Sequence, residues 1–258
     1  MPEGHTIHRL AREMSELQGR ALRASSPQRR FTDGAAAVDG AVLELAEAYG
    51  KHLFLHLSSS RSVHVHLGMQ GKWIRSTDPS APPLPQVRLR LAGDDVAWDL
   101  IAPSTCEILD PLGVAELMSR FGPDPLRPDA DLTRVLRALA RARGPIGAVL
   151  LDQTVIAGAG NVFRSEALHA VGVAPTRSAR AMSESEVGDL WVVLRQMMSR
   201  AVEDGRIITV DEPDRLSLPE SEARKVYKQE RCRDCGAPVV TSKVGGRTAY
   251  HCPVEQPS

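Results

Sequence analysis

The sequence predicts an α+β protein in which an N-terminal helix and an antiparallel β-sandwich precede a helical domain and a small, cysteine-bearing β-hairpin. Three observations predict it. Apolar residues recur at helical spacing over residues 3–17, and short β-rich segments parted by Gly, Ser and Pro clusters follow. Beyond a proline-rich stretch at 122–130 the periodicity becomes helical again, and it gives way to a tail with three of the four cysteines.

In the first helix Ile7, Leu10, Ala11, Met14 and Leu17 form one stripe, with Thr6 placed to cap and Gly19 to terminate. Strands are expected at 41–48, 53–57, 63–67, 87–91 and 96–100. Residues 78–85 hold four prolines and read as an exposed loop. Pro123, Pro125 and Pro128 mark a hinge, after which Asp131 caps a helix with the stripe Leu132, Val135, Leu136, Leu139. Ser183 and Glu186 form a capping box for a later helix buried along Val187, Leu190, Trp191, Leu194, Met197, Met198 and Ala201. Residues 206–230 lack periodicity. The expected domains are 1–122, 131–225 and 226–258.

Composition excludes several classes. At 258 residues and 42% apolar side chains the chain is long and apolar enough for real cores, so neither disorder nor a disulfide-stapled miniprotein fits. The longest aliphatic run, 146–151, is far short of the ~20 residues that cross a bilayer. Glu3, His5, His8 and Arg9 stand where a signal peptide would be apolar, so a cytoplasmic location is expected, with cysteines reduced and available to metals. The formal net charge is zero, so a polyanionic partner must be argued from local clusters.

One such cluster is the tail, with a balance of +3 over residues 215–258. Arg247 beside Gly245-Gly246 stands where a hairpin tip is expected and can reach a phosphate. Cys232-x2-Cys235 with Gly236, and Cys252 after sixteen residues between it and Cys235, has the spacing of a structural zinc site. A second Cys-x2-Cys would place a ligand at 255, which is Glu255, a residue able to bind zinc; His251 is another possible ligand. The plain alternative is a hairpin held by packing alone. Gly158-Ala159-Gly160-Asn161 before a helix offers backbone amides to an anion. No strand precedes it and Arg164 stands in place of a third glycine, so nucleotide-cofactor binding is disfavoured. His52, His56, His64 and His66 alternate along two strands and read as the wet face of a hairpin in preference to a metal site.

Met1-Pro2-Glu3-Gly4 resembles the opening of the formamidopyrimidine-DNA glycosylase and endonuclease VIII family. Gly50-Lys51-His52-Leu53, His66-Leu67-Gly68-Met69-Gln70-Gly71, the run from Leu151 to Asn161, and Val226-Tyr227 through Gly236 resemble further family blocks in family order. Gly4 leans the resemblance toward the endonuclease VIII branch, whereas His5-Thr6 and Glu255 depart from the common pattern.

The resemblance implies a catalytic β-sandwich at 1–122, a helix-two-turn-helix DNA-binding domain at 131–225 and a zinc-finger-like hairpin at 226–258. It implies a bifunctional DNA glycosylase and AP lyase of base-excision repair that removes oxidised bases, pyrimidines favoured, through a Schiff base on Pro2 and cuts the strand by β,δ-elimination. Pro2, Glu3 and Lys51 are then the catalytic candidates. Lys51, Asn161 and Arg247 are phosphate ligands, Met69 a wedge in the base stack, and Cys232, Cys235, Cys252 and Glu255 the metal set. The implied cofactor is structural zinc and the implied partner damaged DNA, with no membrane, no nucleotide cofactor and a monomeric chain. From another class, a non-catalytic damaged-DNA or RNA binding protein would keep the phosphate grips and use Pro2 for nothing. A hydrolase using the paired histidines and zinc would be inactivated by chelators.

Overall fold

The computed structural model describes residues 2–257. Its contacts divide the chain at Arg120/Phe121 into two units. In the first, α1 (Gly4–Met14) and a 3₁₀ turn (Ser15–Leu17) bury the expected stripe. Glu3, in extended conformation, is the N-cap; Thr6 lies inside the first turn, so its expected capping role is not met. Gly19 follows with φ +77°, a conformation that favours glycine.

Two four-stranded antiparallel sheets follow. One has the order β1-β6-β7-β5 and the other β2-β3-β4-β8. The strands are β1 (Arg23–Ser25), β2 (Leu43–Tyr49), β3 (His52–Leu57), β4 (Ser62–His66), β5 (Lys72–Ser76), β6 (Val87–Ala92), β7 (Ala97–Ile101) and β8 (Thr105–Leu109), with α2 (Thr32–Val38) after β1 and α3 (Pro111–Ser119) after β8. Period-two alternation sends Leu53, Leu55, Leu57, Val63 and Val65 into a core shared with Leu89, Leu91, Trp98 and Leu100 of the other sheet. Strands β1, β5 and β8 and helices α2 and α3 are additional to the expected set. β8 pairs with β4 over its whole length, yet its alternation brings only Cys106 and Ile108 against the core.

The second unit contains α4 (Leu132–Arg141), α5 (Ile146–Val149), α6 (Asn161–Ala170), α7 (Glu184–Asp204) and the hairpin β9 (Val240–Val244) with β10 (Arg247–His251). Asp131 caps α4, accepting from the Thr133 amide. Ser183 and Glu186 make the capping box of α7, which ends at Gly205 with φ +73°. Val135, Leu139, Phe163, Leu168, Leu190, Leu194 and Met198 are among the residues that share its core.

The proline-rich stretch is not a loose hinge. Phe121 through Pro125 are buried. Gly122 N–H donates to Gln153 O (2.9 Å), Ala157 N–H to Pro123 O (3.0 Å) and Arg134 Nη2 to Phe121 O (3.0 Å). Proline fixes φ but leaves its carbonyl free to accept, and that carbonyl ties the segment into the second unit. A Cβ on Gly122 would fall 2.3 Å from the Val155 carbonyl carbon. Gly122→Ala is therefore expected to lower the unit's stability by more than about 1 kcal/mol, read from urea denaturation.

Candidate active site and nucleic-acid interface

The N-terminal residues are presented by α1. Pro2 is half-buried one position ahead of the N-cap Glu3, whose side chain is wholly buried, with Glu3 O accepting from Thr6 N–H at 3.0 Å. Glu3 is thus already out of solvent in the free protein. Met1 lies outside the described residues. Lys51 occupies a two-residue turn between the paired Tyr49 and His52, where Gly50 has φ +57°.

Met69 sits in the loop from β4 to β5. Gly68 (φ +67°) and Gly71 bracket it, and a Cβ on Gly71 would lie 2.3 Å from Leu67 O. The loop is fixed by its backbone, and Met69 projects from it 70% exposed, which rules out a core role. An exposed thioether chain on a rigid loop suits insertion between bases.

The histidine face differs from the expected wet one. His64 is buried, and carboxylates do join the array: His64 Nδ1 lies 2.8 Å from Glu107 Oε1, and His56 Nε2 lies 2.9 Å from Glu47 Oε2. His52 Nδ1 and His64 Nε2 are 2.9 Å apart, with their rings stacked at 5.1 Å. Burial, aided by His66, His64 and Lys51, pushes the His52 pKa down to about 3, and burial also lowers His64 and His66. The unfolded chain protonates His52 near 6.5 and the folded one only near 3. Stability should accordingly fall as pH drops from about 6.5 toward 3. Urea midpoints at pH 7 and pH 5 check this, and the decline should be shallower in His52→Phe.

In the second unit α5 and α6 flank the turn Gly158-Ala159-Gly160. Gln153 closes the turn, its Oε1 accepting from Gly158 N–H (2.9 Å) and its Nε2 donating to Ala159 O (2.9 Å). Asn161 opens α6 with its Nδ2 donating to Thr248 O at 3.1 Å. Arg164, fully buried, donates to Gly147 O (3.2 Å), Val244 O (3.0 Å), Thr248 O (2.8 Å) and Asn161 Oδ1. Val244 and Thr248 flank the hairpin tip, where Gly245 (φ +62°) and Gly246 (φ +72°) turn the chain into exposed Arg247. The structure thus joins Asn161 to the strand that carries Arg247. Pro2, Glu3, Lys51 and Met69 belong to the first unit; Asn161, Arg247 and the three tail cysteines belong to the second.

Glu166, also buried on α6, accepts from the amides of Lys225 (2.9 Å), Val226 (3.0 Å) and Tyr227 (2.7 Å) and from the Thr209 hydroxyl. Arg164 and Glu166 were missed as organising residues by sequence reasoning. Their signal was present: two charges two residues apart in a helix, Asn161–Ala170, that is otherwise mostly small or apolar.

The thiols of Cys232, Cys235 and Cys252 lie within 4.8 Å of one another, a donor set suited to a thiophilic metal ion. Glu255 does not complete the set as expected. It is exposed, and it directs its backbone N–H, not its carboxylate, at Cys252 Sγ (3.5 Å).

The comparisons with known proteins follow this division. Residues 1–100 match the formamidopyrimidine-DNA glycosylase N-terminal domain, and residues 121–212 match the formamidopyrimidine-DNA glycosylase H2TH domain. The chain belongs to the formamidopyrimidine-DNA glycosylase and endonuclease VIII family. It is accordingly an enzyme, a DNA glycosylase of the class that carries AP lyase activity and acts on damaged DNA. It is 43% identical over 267 residues to "Endonuclease 8 1" of Mycobacterium tuberculosis, covering 99% of this chain and 100% of that protein. To the formamidopyrimidine-DNA glycosylase of Thermus thermophilus it is 30% identical, covering 99% and 97%. These values place it nearer the endonuclease VIII side. The fold matches that of the Lactococcus lactis Fpg solved with DNA containing an N7-benzyl-Fapy-dG, with TM-score 0.82, 24% identity and full coverage of both chains. Among the described residues no helix is long and apolar enough to cross a membrane.

Proposed function

We propose that this enzyme excises oxidised bases, pyrimidines favoured, and then cuts the strand through a Schiff base on Pro2. With Met1 removed, Pro2 is a secondary amine with a reference pKa of about 8, against about 10.4 for a Lys side chain, and the positive end of α1 favours its neutral form further. The amine nitrogen attacks the sugar anomeric carbon, and the base departs with the C–N bond electrons; the nitrogen then gives up its N–H proton, and its lone pair forms the iminium as the ring C–O bond breaks and Glu3 protonates the ring oxygen. That cation acidifies the adjacent carbon. Loss of its proton expels the 3′ phosphate, and a second elimination expels the 5′ phosphate. Hydrolysis or transfer to solvent frees Pro2.

The observation that carries this reading is the start of α1, where Pro2 directly precedes a wholly buried carboxylate. Lys51, Asn161 and Arg247 hold backbone phosphates around the extruded nucleotide, and Met69 fills the vacated stack. Zinc on the tail thiols shapes the finger and takes no part in the chemistry. The enzyme works as a cytoplasmic monomer.

Borohydride reduction of a mixture with duplex carrying an oxidised pyrimidine tests the assignment. A covalent adduct through the N-terminal peptide, with Met1 absent, is expected; fully active protein that retains Met1 overturns it. A panel of oxidised pyrimidines, formamidopyrimidines and oxidised purines tests the base preference. Arg247→Ala is expected to weaken DNA binding and flatten log Kd against log salt by about one unit, the mark of one lost phosphate contact. Titrations at several salt concentrations measure it.

A further inference from the structure

We propose that His169, at the end of α6, is the fourth ligand of the tail metal, so that the ion joins the finger to the helix that also carries Asn161. The inference rests on the zinc reading above. His169 is buried, and its Nε2 lies 3.3 Å from Cys232 Sγ. A tetrahedral site with Zn–S near 2.3 Å and Zn–N near 2.0 Å has S···N edges of about 3.5 Å, so a contact that serves as a hydrogen bond without the ion has the length of a ligand edge with it. Cys235 Sγ and Cys252 Sγ are 3.4 Å apart, again close to a ligand edge.

The other ring nitrogen supports the same assignment. His169 Nδ1 is buried with no hydrogen-bond partner, and it faces Asp234 Oδ2 at 3.8 Å. A ligating histidine characteristically turns its second nitrogen to a carboxylate that orients the ring. Asp234 sits inside the Cys232-x2-Cys235 turn, so the same loop supplies two thiols and the outer carboxylate.

The competing donors are less well placed. Glu255 is exposed and points its amide at the thiol. His251 ends β10 one residue before Cys252; its Nδ1 is also buried without a hydrogen-bond partner, but its ring nitrogens do not join the close set of thiols. The mutually close set in the structure is the three thiols, and His169 stands against it from the Cys232 side. Binding one zinc(II) ion displaces three thiol protons to solvent and uses the Nε2 lone pair, with the imidazole proton on Nδ1 toward Asp234.

X-ray absorption at the zinc edge of the full-length protein, with zinc affinity from chelator competition, tests the assignment. Three sulfurs and one imidazole nitrogen are expected. His169→Phe, which keeps a ring in the buried space, should lose the imidazole scattering. It should also lower affinity by more than the ~100-fold upper range for removing an outer-shell partner. His169→Cys should restore tight binding with four sulfurs, and Glu255→Gln and His251→Ala should leave the spectrum unchanged. Zinc held by three sulfurs with the same spectrum in His169→Phe overturns the assignment and leaves the zinc site standing. A wild-type chain that binds no zinc overturns the zinc reading itself.

Discussion

Pro2→Gly is expected to lower the yield of borohydride-trapped adduct by about 100-fold or more, and Glu3→Gln to slow base release by about 10²–10⁴-fold. Proline forms an iminium that is cationic without further protonation, whereas the imine of a glycine terminus must gain a proton before it can draw electrons from the sugar. Glu3 is wholly buried, so glutamine can occupy its space but cannot deliver a proton. The two variants separate by substrate. On a preformed abasic site, whose sugar already equilibrates with its ring-opened aldehyde, Glu3→Gln should keep much of its adduct, while Pro2→Gly should fail on both substrates. Single-turnover rates with intact and abasic duplexes measure the difference.

Glu166→Ala is expected to cost about 3–5 kcal/mol and to lower the melting temperature by about 10 °C. The carboxylate gathers three consecutive amides, from Lys225 to Tyr227, and the Thr209 hydroxyl. Removing it leaves buried donors without acceptors, each costing about 1–3 kcal/mol before local relaxation. Glu166→Gln keeps one acceptor oxygen but turns an NH₂ group against backbone donors, so an intermediate loss is expected. Because Val226 and Tyr227 lead directly into the cysteine turn, DNA affinity should fall along with stability, read by calorimetry and binding titration on the same samples.

Much of the architecture was legible in the pattern of apolar residues. Leu53, Leu55, Leu57, Val63 and Val65 alternate cleanly because one sheet face meets the core, and the α7 stripe is regular because one helix face does. β5 and β8 were hidden, since short strands with few core-facing residues leave little periodic signal. Prolines at 123, 125 and 128 suggested a hinge, but whether a carbonyl finds a donor depends on residues such as Ala157 that lie far along the chain.

At the site, the motif blocks directed attention to Pro2, Glu3, Lys51, Met69, Asn161 and Arg247. They gave no hint that Asn161 bonds across 87 positions to Thr248. The fourth ligand was sought at 255 by extending a spacing rule along the tail. Spacing describes turns within one segment and says nothing of His169, which reaches Cys232 from 63 positions away.

Arg164 grips the carbonyls on either side of the hairpin tip, while the cysteines gather at its base. The fingertip is consequently anchored independently of its root. Loss of a thiol at the root would leave the tip aimed by the helix, so the two ends of the hairpin are free to change separately over evolutionary time.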